Sequence, residues 1–218
     1  MIYAAFIQSL YTRLMRFLLS IILAFVCGPA LAGDLTVSVR DNAGRPVRDA
    51  VVTVTPNAGV PAGPIRFAWP LRIVQQDIQF QPYVLIAPVG QAVSFPNLDR
   101  VRHHIYSFSR GNRFEIELFG RDATRTHAFA AAGVAALGCN IHDQMLAYVR
   151  VVNTPYAGKT DAAGDVVIRA IPAGGARLVV WHPQLNVRGN ENAYTLTIGA
   201  GAGRQTATGD FSARAAVR

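Results

Sequence analysis

Gly138-Cys139-Asn140-Ile141-His142-Asp143-Gln144-Met145 sets a thiol, an imidazole and a thioether within seven residues, spaced Cys-x2-His-x2-Met. The stretches on either side, Gly133–Leu137 and Leu146–Val152, read as strands rich in small and β-branched residues. A tight loop between two strands can turn all three side chains toward one small volume. Thiolate and thioether are soft donors and imidazole is borderline, so the set suits copper better than magnesium or calcium. Two imidazoles and a thiolate in a plane, with a weak axial Met, make a blue-copper site. One more His is needed, and Val101-Arg102-His103-His104-Ile105-Tyr106 offers two. Neighbouring strand residues face opposite sides, so only one of the pair can face the loop.

Cysteine usage sharpens the same point. The chain has 218 residues and two cysteines. Residues 1–32 read as a secretory leader: Arg13 and Arg16 precede the apolar run Phe17 to Val26, and Ala30-Leu31-Ala32 supplies a cleavage signal. The run is short for a membrane span, which takes about 20 residues, so no stable insertion is expected after cleavage. Fourteen residues precede Met15, which is an alternative start. Removal of the leader takes Cys27 with it and leaves Cys139 as a single thiol in an oxidising, periplasmic setting.

Composition excludes other classes. Charged residues make up 16% and hydrophobic ones 51%, which does not describe a disordered chain. Twelve Pro and 19 Gly, without heptads, argue against a helical bundle. The formal charge of +8 falls to +6 once Arg13 and Arg16 leave with the leader, and every remaining base except Lys159 is Arg. These bases are scattered, with no basic helix or interleaved aromatics, so a nucleic-acid partner is not expected. A basic surface facing an acidic partner is compatible with them. There is no Ser-His-Asp spacing and no phosphate loop. Glu115 and Glu117 share one strand face, which reads as a solvated one, and no enzymatic activity is expected.

Beyond the leader the signals are for strands throughout. Leu35–Val39 alternates, Asp41-Asn42-Ala43-Gly44 is a turn, and Val47–Val54 is a second strand. Residues 56–64 form a Pro/Gly loop. Strands are then expected at Arg72–Gln79, Tyr83–Ala87, Ala92–Phe95, His104–Ser109 and Phe114–Leu118. Past Pro155 a second Asp-x2-Gly turn, Thr160-Asp161-Ala162-Ala163-Gly164, leads to strands at Val166–Ile168, Leu178–Trp181 and Tyr194–Ile198. Neither end segment can bury a core alone. The expected organisation is all-β, with residues 33–56 and 155–199 forming one discontinuous β-sandwich, residues 65–154 forming another, and residues 200–218 a loose tail.

Phe95-Pro96-Asn97, then His103, then Cys139-x2-His142-x2-Met145 resembles the cupredoxins, the plastocyanin and azurin superfamily. The two-residue gap before Met145 is most similar to the loop of amicyanin. The stretches around His103, Cys139 and Val180-Trp181-His182-Pro183 are similar to periplasmic proteins labelled methylamine utilisation proteins. Asp41-x2-Gly44-x-Pro46 together with Thr160-Asp161-x2-Gly164 and Ile171-Pro172-x-Gly174 resembles the carboxypeptidase-regulatory-like β-sandwich. The resemblance implies a Greek-key sandwich, one copper ion and the ligands His103, Cys139, His142 and Met145. In cupredoxins Asn usually follows the first His ligand, and here that position is His104. Tyr106 and Phe108 share a face with His104, so on face pattern His104 is the alternative to His103. His127 reads as a surface residue and His182 as a structural one.

A site of this type has no open position, which suits one-electron transfer to a protein partner by a monomeric carrier. Copper storage or delivery, or a structural sandwich with a vestigial site, are the alternatives.

Overall fold

The computed structural model describes residues 32–212. The expected leader, apart from Ala32, and the last six residues lie outside them. Sixteen strands carry the fold, and no α-helix occurs among the described residues. In chain order they begin with β1 (Ala32–Asp41), β2 (Val51–Pro56), β3 (Val74–Gln76), β4 (Gln79–Gln81) and β5 (Val84–Pro88). Next come β6 (Ala92–Pro96), β7 (His103–Ser107), β8 (Phe114–Phe119), β9 (Thr124–Ala128), β10 (Gly133–Gly138) and β11 (Leu146–Val152). The last are β12 (Ala157–Lys159), β13 (Asp165–Pro172), β14 (Gly174–Trp181), β15 (Glu191–Ile198) and β16 (Gly201–Gly209). No helix among them is long and apolar enough to cross a membrane.

Two hydrophobic cores organise these strands. The first lies against the five-stranded sheet β5-β11-β10-β7-β8. Leu85, Ile105, Leu137, Ala147 and Val149 project from that sheet, and Val93 and Phe95 from the β6–β9 pair close over them, with Phe129. The alternation is clean in β11, where Ala147, Val149 and Val151 are buried and Tyr148 and Arg150 are not fully so. The second core lies between the sheets β13-β1-β16 and β12-β2-β14-β15. Leu35, Val37 and Val39 of β1 meet Val52 and Val54 of β2 and Leu178 and Val180 of β14 there. A smaller cluster of Val51, Val84, Ile86, Val152 and Trp181 draws on both sets of strands. Residues 32–212 form one compact unit.

The two Asp-x2-Gly turns are built alike. Asp41 Oδ1 accepts from the backbone N–H of Ala43 and Arg45 at 2.9 and 2.8 Å. Asp161 Oδ1 accepts from Ala163 and Asp165 at 2.9 and 3.0 Å. Gly44 and Gly164 take φ of 79° and 72°, which the turn requires and a side chain would resist.

Several expectations are corrected. The strand expected at Arg72–Gln79 is a tight hairpin, because Asp77 and Ile78 take φ of 56° and 55° and reverse the chain between β3 and β4. The loose tail expected from residue 200 contains β16, paired in parallel with β1 from Gly33↔Gly201 to Asp41↔Gly209. Only Ala207 of that strand is buried, too small an apolar signal for pattern reading. Strand β9 gave no signal either, since among Thr124–Ala128 only His127 is shielded. Ala32, expected as the last leader residue, opens β1 across from Pro172.

Candidate metal centre

Strands β7 and β10 and the loop after β10 converge on one point. Cys139 directly follows Gly138, the last residue of β10, which pairs with Tyr106 of β7. The loop closes in a turn in which the Met145 N–H donates to the His142 carbonyl at 2.9 Å. Its tip, Asp143 and Gln144, is exposed as expected. Cys139 Sγ then lies 3.9 Å from His103 Nδ1 and 3.8 Å from His142 Nδ1. All three donor atoms fall within 4.8 Å of one another. Met145 is buried in the same core as Cys139.

These spacings test whether a metal fits. With a metal–sulfur bond of about 2.3 Å and metal–nitrogen bonds of about 2.05 Å, donors 120° apart stand roughly 3.8 Å from each other, and tetrahedral donors roughly 3.6 Å. The observed 3.8 and 3.9 Å suit a trigonal set of two nitrogens and one sulfur. Two imidazoles and a thiolate in that arrangement, with a buried Met nearby, are the donor chemistry of copper rather than of structural zinc, which favours four strong ligands.

Burial is graded across the donors. His103 and Cys139 are 0% and 2% exposed, whereas His142 is only partly buried and faces toward the surface. Its ring lies 5.0 Å from that of His103 at 58°.

Of the two adjacent histidines, the structure brings His103 to Cys139 and His142 and turns His104 away. His104 Nε2 lies 2.8 Å from Glu115 Oε1, and its ring neighbours Tyr106 at 5.9 Å. The face pattern misled because Tyr106 and Phe108 belong to an outward aromatic strip. Phe108 is 70% exposed, with the Arg113 guanidinium 5.3 Å over its ring. His103, Ile105 and Ser107 are the inward set. A register shift between His103 and Ile105, from partner Phe119 to partner Ile116, marks a β-bulge at this point. The extra residue lies on β8, so β7 keeps its alternation through His103, Ile105 and Ser107.

Two residues support His103: Asp99, which pattern reading missed, and Asn97 of the Phe95-Pro96-Asn97 run. Asp99 Oδ2 lies 2.7 Å from His103 Nε2. Burial works to raise the Asp99 carboxyl, but hydrogen bonds from His103 and from the backbone N–H of Ile78 and Asp77 outweigh it and hold it below the ordinary carboxylate range. The ionised carboxylate accepts from Nε2–H, which leaves the Nδ1 lone pair toward Cys139. Asn97, fully buried, ties down the segment leading to His103. Its Nδ2 donates to the carbonyls of Val101 and Phe119, and its Oδ1 accepts from the Asp99 N–H at 2.9 Å. An Asp four residues before a candidate His ligand was the available signal.

His127 and His182 take no part. His127 stacks on Phe114 with centroids 4.0 Å apart. It is therefore a half-buried packing residue, not the surface one expected. His182 is buried, and its Nδ1 accepts from the Gln184 N–H at 3.1 Å.

No family model matches the chain, and no curated protein matches it. Solved structures do. A Cu-containing nitrite reductase (NirK) from Thermus scotoductus SA-01 matches at 24% identity over 45% of this chain, with TM-score 0.37; this chain spans 25% of that protein. A purple cupredoxin from Nitrosopumilus maritimus matches at 24% identity over 37% of this chain and 98% of its own, with TM-score 0.34. A reduced mutant of amicyanin matches at 16% identity over 48% of this chain and 99% of its own, with TM-score 0.36. The fold is all-β with cupredoxins among its structural neighbours, and the chemistry of the site rests on its own donors.

Proposed function

We propose that this chain is a type 1 copper protein that passes single electrons to a redox-protein partner. His103, Cys139 and His142 would hold the ion strongly and Met145 would be its weak fourth ligand. One observation carries the reading: two imidazole nitrogens sit 3.8 and 3.9 Å from one buried cysteine sulfur, at the spacing of a trigonal ion. A bound copper ion supplies the one-electron couple between Cu(I) and Cu(II). The protein residues do the rest. Cys139 and His103, shut off from water, hold the donors in a rigid core, which limits their movement between oxidation states. His142, partly exposed, offers its ring edge as the route to the partner. A set of two imidazoles, a thiolate and a thioether supports a carrier of electrons.

The mature chain is read as periplasmic and monomeric, meeting an acidic face on its partner through its dispersed arginines. Residues 33–56 and 155–199 are read as a separate β-sandwich domain interrupted by residues 65–154, a reading supported by their separate hydrophobic cores.

Visible and electron-spin spectra of the purified mature protein after Cu(II) addition test the proposal. An intense thiolate-to-copper band is expected, and it should vanish in Cys139→Ala. A protein that takes up copper without that band, or a band that survives in Cys139→Ala, overturns it.

A further inference from the structure

A cleft of about 800 Å³ opens beside β5 of the five-stranded sheet, with none of Cys139, His103 and His142 on its lining. That size lies inside the range of roughly 300–1,000 Å³ usual for small organic ligands. Trp69, Pro82, Val84, Ile86 and Leu98 make most of its wall. The wall is pre-set. Trp69 Nε1–H donates to the Ile86 carbonyl at 2.9 Å, and the indole stacks on Phe67 with centroids 4.3 Å apart and planes 9° apart. An indole fixed on one face and at its polar edge presents a ready apolar surface, so a ligand would not have to order it.

The polar groups on the lining are few and of one sign. Gln76 and Gln81 are the uncharged ones, and Arg72 and Lys159 are the charged ones. No carboxylate lines the cleft among the described residues. Lys159 is already engaged, its Nζ lying 2.7 Å from Asp49 Oδ1 and 2.9 Å from the Val84 carbonyl. The Arg72 guanidinium has no ion pair, hydrogen bond or ring contact among the described residues. Arg40, Arg45, Arg150 and Arg169 each meet a carboxylate; Arg72 is the arginine on the lining of this cleft. A free fork of N–H donors beside an otherwise apolar wall matches a planar anion joined to an apolar body.

We propose that this cleft binds a small organic monocarboxylate, its apolar body against Trp69 and Leu98 and its carboxylate on Arg72. The site goes beyond the copper reading and uses none of the metal donors, so it can be tested on the copper-free chain. The two ideas then fail separately.

The probes are decanoate and, at matched chain length, uncharged decanol, both titrated into the copper-free full chain by calorimetry below their micelle-forming range. Decanoate should bind saturably at one site, about tenfold or more tighter than decanol, the worth of one charge-assisted hydrogen bond. Arg72→Gln, a change at an exposed side chain, should bring decanoate down to the affinity of decanol and leave decanol unchanged. Trp69→Leu should weaken both. The indole fluorescence of Trp69 should respond to decanoate, and that response should be absent in Trp69→Phe. No saturable binding of decanoate overturns the proposal. Equal binding of the two probes, or decanoate binding unaltered in Arg72→Gln, overturns it as well.

Discussion

Asp99 Oδ2 lies 2.7 Å from His103 Nε2, and the same carboxylate anchors a turn in another part of the chain. Its Oδ1 accepts from the Asp77 N–H at 2.7 Å and its Oδ2 from the Ile78 N–H at 3.1 Å. Those two residues form the two-residue loop of the β3–β4 hairpin, both with positive φ. Such a loop favours Asn-Gly, and a β-branched residue there is strained by roughly 1–3 kcal/mol. One side chain therefore steadies a strained turn and orients a candidate metal donor.

Asp99→Ala should damage both functions, and they can be separated. Loss of the partner of a metal-ligating His weakens metal binding about 10–100-fold. Loss of the bonds to the turn should cost about 1–3 kcal/mol of stability. Adding Ile78→Gly removes the strain, so the double variant should recover stability but not copper affinity. Chemical denaturation and competition with a copper chelator read the two quantities.

Gly138 is required by a close approach. A Cβ placed there would stand 2.6 Å from Tyr106 Cζ and 2.7 Å from its Oη. Gly138→Ala should therefore destabilise by about 1–3 kcal/mol, the usual cost of overpacking. Tyr106→Val in the same chain should relieve most of that. A double-mutant cycle measured by urea unfolding should show strong coupling between the sites.

Mild acid should weaken the fold through His127 and His182. Burial lowers the His127 pKa below its usual 6.5, and burial likewise lowers that of His182 against smaller opposing contributions from Asp49 and the Arg48 backbone. A depressed folded pKa means the unfolded chain binds more protons as pH falls below about 6.5, so stability is complete above that value and declines beneath it. Protonation of His182 also removes the acceptor that Gln184 uses. His127→Phe, which keeps a ring against Phe114, should flatten the decline between about pH 6.5 and 5 in thermal melts. Asp165 and Asp210, held low by hydrogen bonds from Ser38 and Asn186 first among their causes, contribute a further loss that begins as pH falls into the ordinary carboxylate range and continues below it.

Deleting residues 201–218 should expose β1 as an unpaired edge, since β16 covers its whole length in parallel register. We expect a loss of about 2 kcal/mol, roughly 4–8 °C in Tm for a chain of this size. The visible spectrum of the copper protein should be unchanged, because the metal donors sit in the other hydrophobic core. Melting curves and the spectrum check the two halves of the expectation.

Much of the site was legible because its donors lie close together in sequence. Cys139, His142 and Met145 belong to one loop, and strand signals on both sides of it were strong. His103 was harder, since His104 satisfies the same spacing. Alternation alone ranks faces by apolar content, and Tyr106 and Phe108 made the outer face look like the inner one. The weak strands went unread for a related reason: β9 and β16 are held by pairing with a neighbour, and their exposed side chains leave little pattern.

The order of residues by itself determined that strands dominate, that one thiol, one imidazole and one thioether lie in one loop, and that Asp-x2-Gly turns stand at residues 41–44 and 161–164. Each of these follows from local spacing, which a chain carries before it folds. Only the tertiary structure decided which histidine joins the thiol, that Asp99 holds it, that Tyr106 needs a glycine beneath it, and that Arg72 stands unpaired beside an apolar wall. Those relations join residues brought together by packing, where distance in space no longer follows distance along the chain.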